Sequence, residues 1–94
     1  MSRVRWTTNA ADDLARIVRR IREDNPEAAR RVAETIYHGV ASLRNLPLRG
    51  RHGLAENTRE LVFAPWPYVA VYEVTANQDQ VYVLRIRHTS KDWP

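Results

Sequence analysis

Cysteine is absent from this 94-residue chain, which excludes disulfides and any thiolate metal site. No glycine-rich phosphate loop, nucleophile elbow or metal motif is present. His38, His52 and His88 do not stand at ligand spacing. No cofactor and no metal are therefore expected. No early apolar run resembles a signal peptide, and none approaches the roughly 20 residues of a membrane span. A cytoplasmic protein without membrane contact is the expectation. Lysine is nearly missing too: of 15 basic residues, 14 are arginine and one is Lys91.

What is there is mostly arginine and apolar patterning. The formal charge is +4, which speaks to association rather than to fold. Arginine presents a planar fork that fits phosphate and carboxylate and stacks on aromatic rings. Such a basic domain suits nucleic acid, an acidic protein partner, or both. The codons of a GC-rich genome account for the arginine bias equally well. The length predicts one domain over residues 1–94, with a thin core made by one helix layer against one sheet.

The chain is organised around Thr58–Ala64 and Tyr68–Val74, two segments rich in β-branched and aromatic residues. Pro65-Trp66-Pro67 turns the chain between them, since proline cannot donate to a ladder. After the polar turn Thr75–Asp79, Gln80–His88 reads as a third strand. Short connections predict an antiparallel meander. Arg3–Trp6 is a short strand added to it.

Between Trp6 and the meander lies a helix hairpin. Thr7, Thr8 and Asn9 offer N-cap oxygens, and Asp12 and Asp13 place negative charge in the first turn, where the helix dipole favours it. Leu14, Ile17, Val18 and Ile21 follow at helical spacing, with Arg16, Arg19, Arg20 and Glu23 opposite. Asn25-Pro26 starts a second helix, with Ala29, Val32, Ala33, Ile36, Val40 and Leu43 on one stripe. It should run to about Leu46, before Pro47. Pro47–Asn57 reads as a flexible basic loop. The fold class is thus α+β: an N-terminal strand, then an antiparallel helix hairpin packed on a three- to four-stranded antiparallel sheet. The uncovered sheet face is where function is expected.

Strict alternation sends Val81, Val83, Arg85 and Arg87 to one side of the last strand, and Tyr82, Leu84, Ile86 and His88 to the other. The two arginines make either an anion site or a charged edge that discourages aggregation. Glu60 or Glu73 is a candidate general base, and His88 a candidate general acid. Arg59 and Glu60 should project to opposite faces. His38 and His52 fit a helix and an exposed loop without chemistry. Trp66, Tyr68 and Tyr72 suit base stacking or, more commonly, burial, and Trp6 and Trp93 suit packing.

The assembled segments resemble the RelE/ParE superfamily of bacterial type II toxin–antitoxin toxins. They are Thr8-x-x-Ala11-x-Asp13-Leu14-x-x-Ile17, Asn25-Pro26-x-Ala28-Ala29 and Pro47-x-x-Gly50-Arg51-x-Gly53. The stronger ones are Thr58-Arg59-Glu60-Leu61-Val62, Pro67-Tyr68-x-x-x-Tyr72-x-Val74, Leu84-Arg85-x-x-His88 and Asp92-Trp93-Pro94. The resemblance spans nearly the whole chain and implies a growth-inhibiting toxin held inactive by a cognate antitoxin, in a module of the plasmid-stabilization kind.

Members similar to RelE cleave mRNA on the ribosome without metal; those similar to ParE poison DNA gyrase. For cleavage, the resemblance makes Arg59, Arg85 and Arg87 phosphate binders, Glu60 or Glu73 a base and His88 an acid. The chain departs from the RelE pattern where Val69 replaces an arginine and where Glu60 and Val62 replace a lysine pair. Gyrase poisoning needs only a binding surface and no enzymatic activity. A third reading is an inactive, antitoxin-binding or regulatory subunit. Operator DNA would be contacted mainly through the antitoxin.

Overall fold

The computed structural model describes residues 1–90. The Asp92-Trp93-Pro94 part of the resemblance, with Trp93 as a packing residue, lies outside them. Strand β1 (Arg3–Trp6) leads into helices α1 (Thr8–Asp24) and α2 (Pro26–Ala41). A 3₁₀ turn at Ser42–Arg44 follows, then strands β2 (Arg51–His52), β3 (Thr58–Val62), β4 (Tyr68–Val74) and β5 (Gln80–His88). They form one five-stranded sheet in the order β1-β5-β4-β3-β2.

The meander β3-β4-β5 is antiparallel as its short connections require, but the sheet is mixed. Residues 3–6 run parallel to residues 80–83, because the whole helix hairpin and the rest of the meander serve as the crossover. A fifth strand, β2, emerges from the segment expected to be a loop and pairs with Arg59 and Glu60.

That segment is also not loose. The hydroxyl of Tyr72, a fully buried residue, donates to the Pro47 carbonyl at 2.9 Å and accepts from Gly50 N–H at 2.8 Å. Arg59 Nη1 donates to the carbonyls of Gly50 at 2.7 Å and Leu48 at 3.3 Å. A Cβ on Gly50 would lie 2.7 Å from both the Glu60 carbonyl and the Tyr72 hydroxyl, so only glycine lets the loop approach this closely.

Thr7 alone caps α1, its hydroxyl accepting from Ala10 N–H at 3.1 Å. Asp12 and Asp13 therefore stand in the second turn, not the first. Asn25 ends α1 and caps α2, its Oδ1 accepting from Ala28 N–H. The second helix stops at Ala41 rather than near Leu46, and the chain tightens into the 3₁₀ turn that carries Leu43 into the core. Leu14, Ile17 and Ile21 of α1, with Val32, Ile36 and Val40 of α2, pack on Leu61, Phe63, Ala70, Tyr72, Val81, Val83 and Ile86. Val69 and Val71 point to the other face, yet are only 2% and 8% exposed.

The buried positions of β5 break the expected alternation. Val81, Val83 and Ile86 face the core, because Tyr72 pairs with Val83 while Val71 pairs with Arg85, leaving Leu84 as an extra residue. This bulge puts Ile86 on the side assigned to Val81 and Val83 by pattern. The cross-strand partners of Arg85 and Arg87 are Val71 and Val69, on the face away from the helices.

Candidate functional site

β1 accompanies β5 only as far as Val83, and beyond that point the uncovered edge of β5 meets α1. Thr7 makes the junction: its N–H donates to the Val83 carbonyl at 3.0 Å and its hydroxyl to the Leu84 carbonyl at 3.1 Å. In the second turn of α1 Asp13, only 4% exposed, reaches the same edge. Its Oδ2 accepts from Arg85 Nε at 2.8 Å and from Ile86 N–H at 3.0 Å, while Oδ1 accepts from Arg85 Nη2 at 3.0 Å.

Burial works to raise the Asp13 pKa. The Arg85 hydrogen bonds, the Ile86 N–H and the charges of Arg85 and Arg16 outweigh it, and the carboxyl sits below its ordinary range. The same pair raises Arg85, whose guanidinium is hydrogen-bonded to the carboxylate. Sequence reasoning took Asp13 for a dipole charge; no spacing rule links positions 72 residues apart.

Next to this pair, α1 and the end of β5 enclose a cleft of about 560 Å³. Arg16, Arg19 and Arg20 line one side, Arg87, Tyr68 and His88 the other. His88 pairs with Tyr68 across the ladder, their rings edge to face at 5.4 Å. Its Nδ1 accepts from Ser90 N–H at 3.1 Å and lies 2.6 Å from the Ser90 hydroxyl. A neutral His88 ring held this way carries its proton on Nε2.

The other candidates stand elsewhere, and Glu60 and Arg59 are occupied. Glu60 is 7% exposed, and its Oε1 accepts from Arg51 Nε at 3.0 Å across the β2–β3 pair. Arg59, beside it, holds the 47–50 segment. The two do project to opposite faces, since Arg59 pairs with core Tyr72 and Glu60 with Val71. Glu60 and Arg85 flank Val71 in one row, two strand spacings or about 10 Å apart at the backbone. Glu73 is exposed on β4.

His38 is exposed on α2, and His52 is on β2 rather than in a loop. Burial holds the Tyr72 hydroxyl above its ordinary pKa and removes the ring from any stacking role. Trp66 and Trp6 pack against the core, Trp6 also stacking on Tyr37 at 6.5 Å. Among the described residues no group of three or more His, Cys, Asp or Glu could hold a metal ion, and no helix is long and apolar enough to cross a membrane.

Residues 4–93 match the family described as the ParE toxin of the type II toxin–antitoxin system parDE. A putative toxin, Y4kP, of Sinorhizobium fredii is 38% identical over 92 residues, covering 98% of this chain and 93% of its own. Toxin RelE2 of Caulobacter vibrioides is 40% identical over 91 residues, covering 97% and 99%. Among solved structures, a chain of the chromosomal ParDE system from P. aeruginosa superposes with a TM-score of 0.85 at 27% identity, covering 96% of this chain and 98% of that one. A chain of the RelBE2 toxin–antitoxin complex from Mycobacterium tuberculosis gives 0.60 at 26% identity, covering 93% and 96%. The helix hairpin on a mixed sheet, the order of the motifs and these matches agree: the chain belongs to the ParE toxin family of type II toxin–antitoxin systems, within the RelE/ParE superfamily.

Proposed function

We propose that this toxin inhibits growth by gripping a protein target, DNA gyrase, rather than by cutting RNA. The observation that carries this reading is the commitment of Glu60, Arg59 and Arg85, three of the polar groups a nuclease would need. Glu60 is buried against Arg51, Arg59 is spent on loop carbonyls, and Arg85 is clamped by Asp13. A base and an acid must flank one phosphate within hydrogen-bond reach, and Glu60 and His88 lie on different strands in different rows. The match to the ParE family points the same way.

Metal-free mRNA cleavage on the ribosome is the second reading, favoured by the likeness to Toxin RelE2 and by His88 in an open cleft beside Arg87. A short induction in cells, with mapping of mRNA 5′ ends and of gyrase-linked DNA breaks, separates the two. Breaks with intact mRNA are expected. New ribosome-dependent 5′ ends without breaks would replace the gyrase reading with cleavage, and absence of growth inhibition would indicate an inactive, antitoxin-binding subunit.

The partner that neutralises it is a cognate antitoxin, as the ParDE and RelBE2 neighbours suggest. An extended or helical segment would anchor apolar side chains on exposed Tyr37, Leu46 and Leu48, with acidic residues against the arginines. Operator DNA would be read mainly by the antitoxin. Co-purification with the adjacent gene product, and its loss on replacing Leu46 and Leu48 with Asp, tests this surface.

A further inference from the structure

The arginines of the two helices are paired differently. On α2, Arg30 bridges Glu27 at 2.6 Å and Glu34 at 3.2 Å, and Arg31 lies 3.6 Å from Glu27. On α1, Arg19 and Arg20 are exposed, and neither pairs with a carboxylate among the described residues. Arg16 approaches only Asp13, at 3.7 Å, a carboxylate already engaged by Arg85 and Ile86. A compositional bias supplies arginine to both helices. It does not compensate one set and leave the other uncompensated.

The α1 set shares one helix face at i, i+3 and i+4 and lines the cleft opposite Arg87. Among the described residues Glu23 is the one carboxylate in the lining besides Asp13. The α1 cations repel one another until an anion arrives. One turn of α1 sets the backbone positions of Arg16 and of Arg19 and Arg20 about 5 Å apart along the helix axis, a spacing that a ligand with repeated charges can follow.

Phosphate oxygens suit the guanidinium fork, and the half-buried Tyr68 ring offers a stacking surface at one end. An acidic peptide would need apolar anchoring as well. Among the described residues Ile17 and Ile86 are the only aliphatic side chains lining the cleft, and Ile86 is 3% exposed.

We propose that the α1/β5 cleft binds the phosphodiester backbone of nucleic acid, without reading sequence and without cleaving it. This goes beyond the gyrase reading, in which the toxin cuts no RNA.

The test is fluorescence anisotropy of the purified full chain with a labelled mixed-sequence DNA single strand, the matching DNA duplex and the matching RNA, across a salt series. Binding is expected to weaken steeply with salt. R19A/R20A should lose about tenfold or more in affinity at low salt and flatten the log–log salt slope by about 2. R30A/R31A removes the same charge from the compensated helix and should change affinity less than about twofold. All four arginines are exposed, so equal urea midpoints will establish that both variants fold. Preference among the three probes identifies which nucleic acid supplies the backbone. No binding by the unaltered chain, equal losses in the two variants, or equal competition by polyglutamate of matched length would each overturn the proposal.

Discussion

At Asp13 a single carboxylate stands in for the strand that β5 lacks beyond Val83. It satisfies the Ile86 N–H and orients Arg85 across the edge. D13N should destabilise the fold by about 2–3 kcal/mol, read from urea unfolding. The loss is smaller than for a fully enclosed pair because Arg85 is 39% exposed and water reaches its guanidinium. Since the folded pKa of Asp13 is depressed, its contribution is present above the unfolded pKa of about 4 and is lost as pH falls through the folded value. Unfolding measured from pH 7 down to pH 2 should show this decline, and D13N should lack that component.

R85A would leave the buried carboxylate unpaired, so loss of toxicity in that variant carries meaning only beside a stability measurement. Glu60 offers a cleaner distinction. E60Q removes a candidate base while keeping its shape, and should retain growth inhibition per amount of folded protein, at a cost of about 1–2 kcal/mol from the weakened Arg51 contact. Abolished toxicity at preserved stability would instead make Glu60 catalytic.

Among the elements, the 47–50 segment depends on Tyr72. Y72F removes the part-buried bond to the Pro47 carbonyl and the acceptor for the buried Gly50 N–H. It should cost about 1–3 kcal/mol and raise hydrogen exchange at Gly50 ahead of global unfolding. The α2–β3 contact is equally tight: a Cβ on Gly39 would stand 2.5 Å from the Phe63 ring. G39A gains up to about 1 kcal/mol of helix propensity, but crowding should exceed it and leave a net loss of about 1–2 kcal/mol. F63L in the same chain should recover part of that loss in a double-mutant cycle.

The helices and the three meander strands were legible because each carries a sustained period of apolar residues and sharp stops such as Asn25-Pro26 and Pro65-Trp66-Pro67. β2 was not, because two residues, Arg51 and His52, contain no period. The extra residue at Leu84 was not legible either: a bulge is a backbone event, and it reversed the facing of every position after it. Of the candidate site, the sequence held the residue types but not their commitments. Arg59, Glu60 and Arg85 look the same in a motif whether they reach outward or hold the fold.

Across the whole molecule, the first strand completes the sheet only by lying beside the last. Arg3 N–H donates to the Asp79 carbonyl, and Val4 pairs with Val81. Contacts so distant in sequence close slowly and late. During synthesis, β1 leaves the ribosome before both helices and the strand it pairs with. A chain ended before residue 80 has no place for β1 and no partner for one edge of β4. Chains ended before residue 80 should therefore be protease-sensitive and harmless when expressed, and growth inhibition by any of them would show that β5 is dispensable. The sheet order makes translation through β5 the condition for the folded toxin to exist.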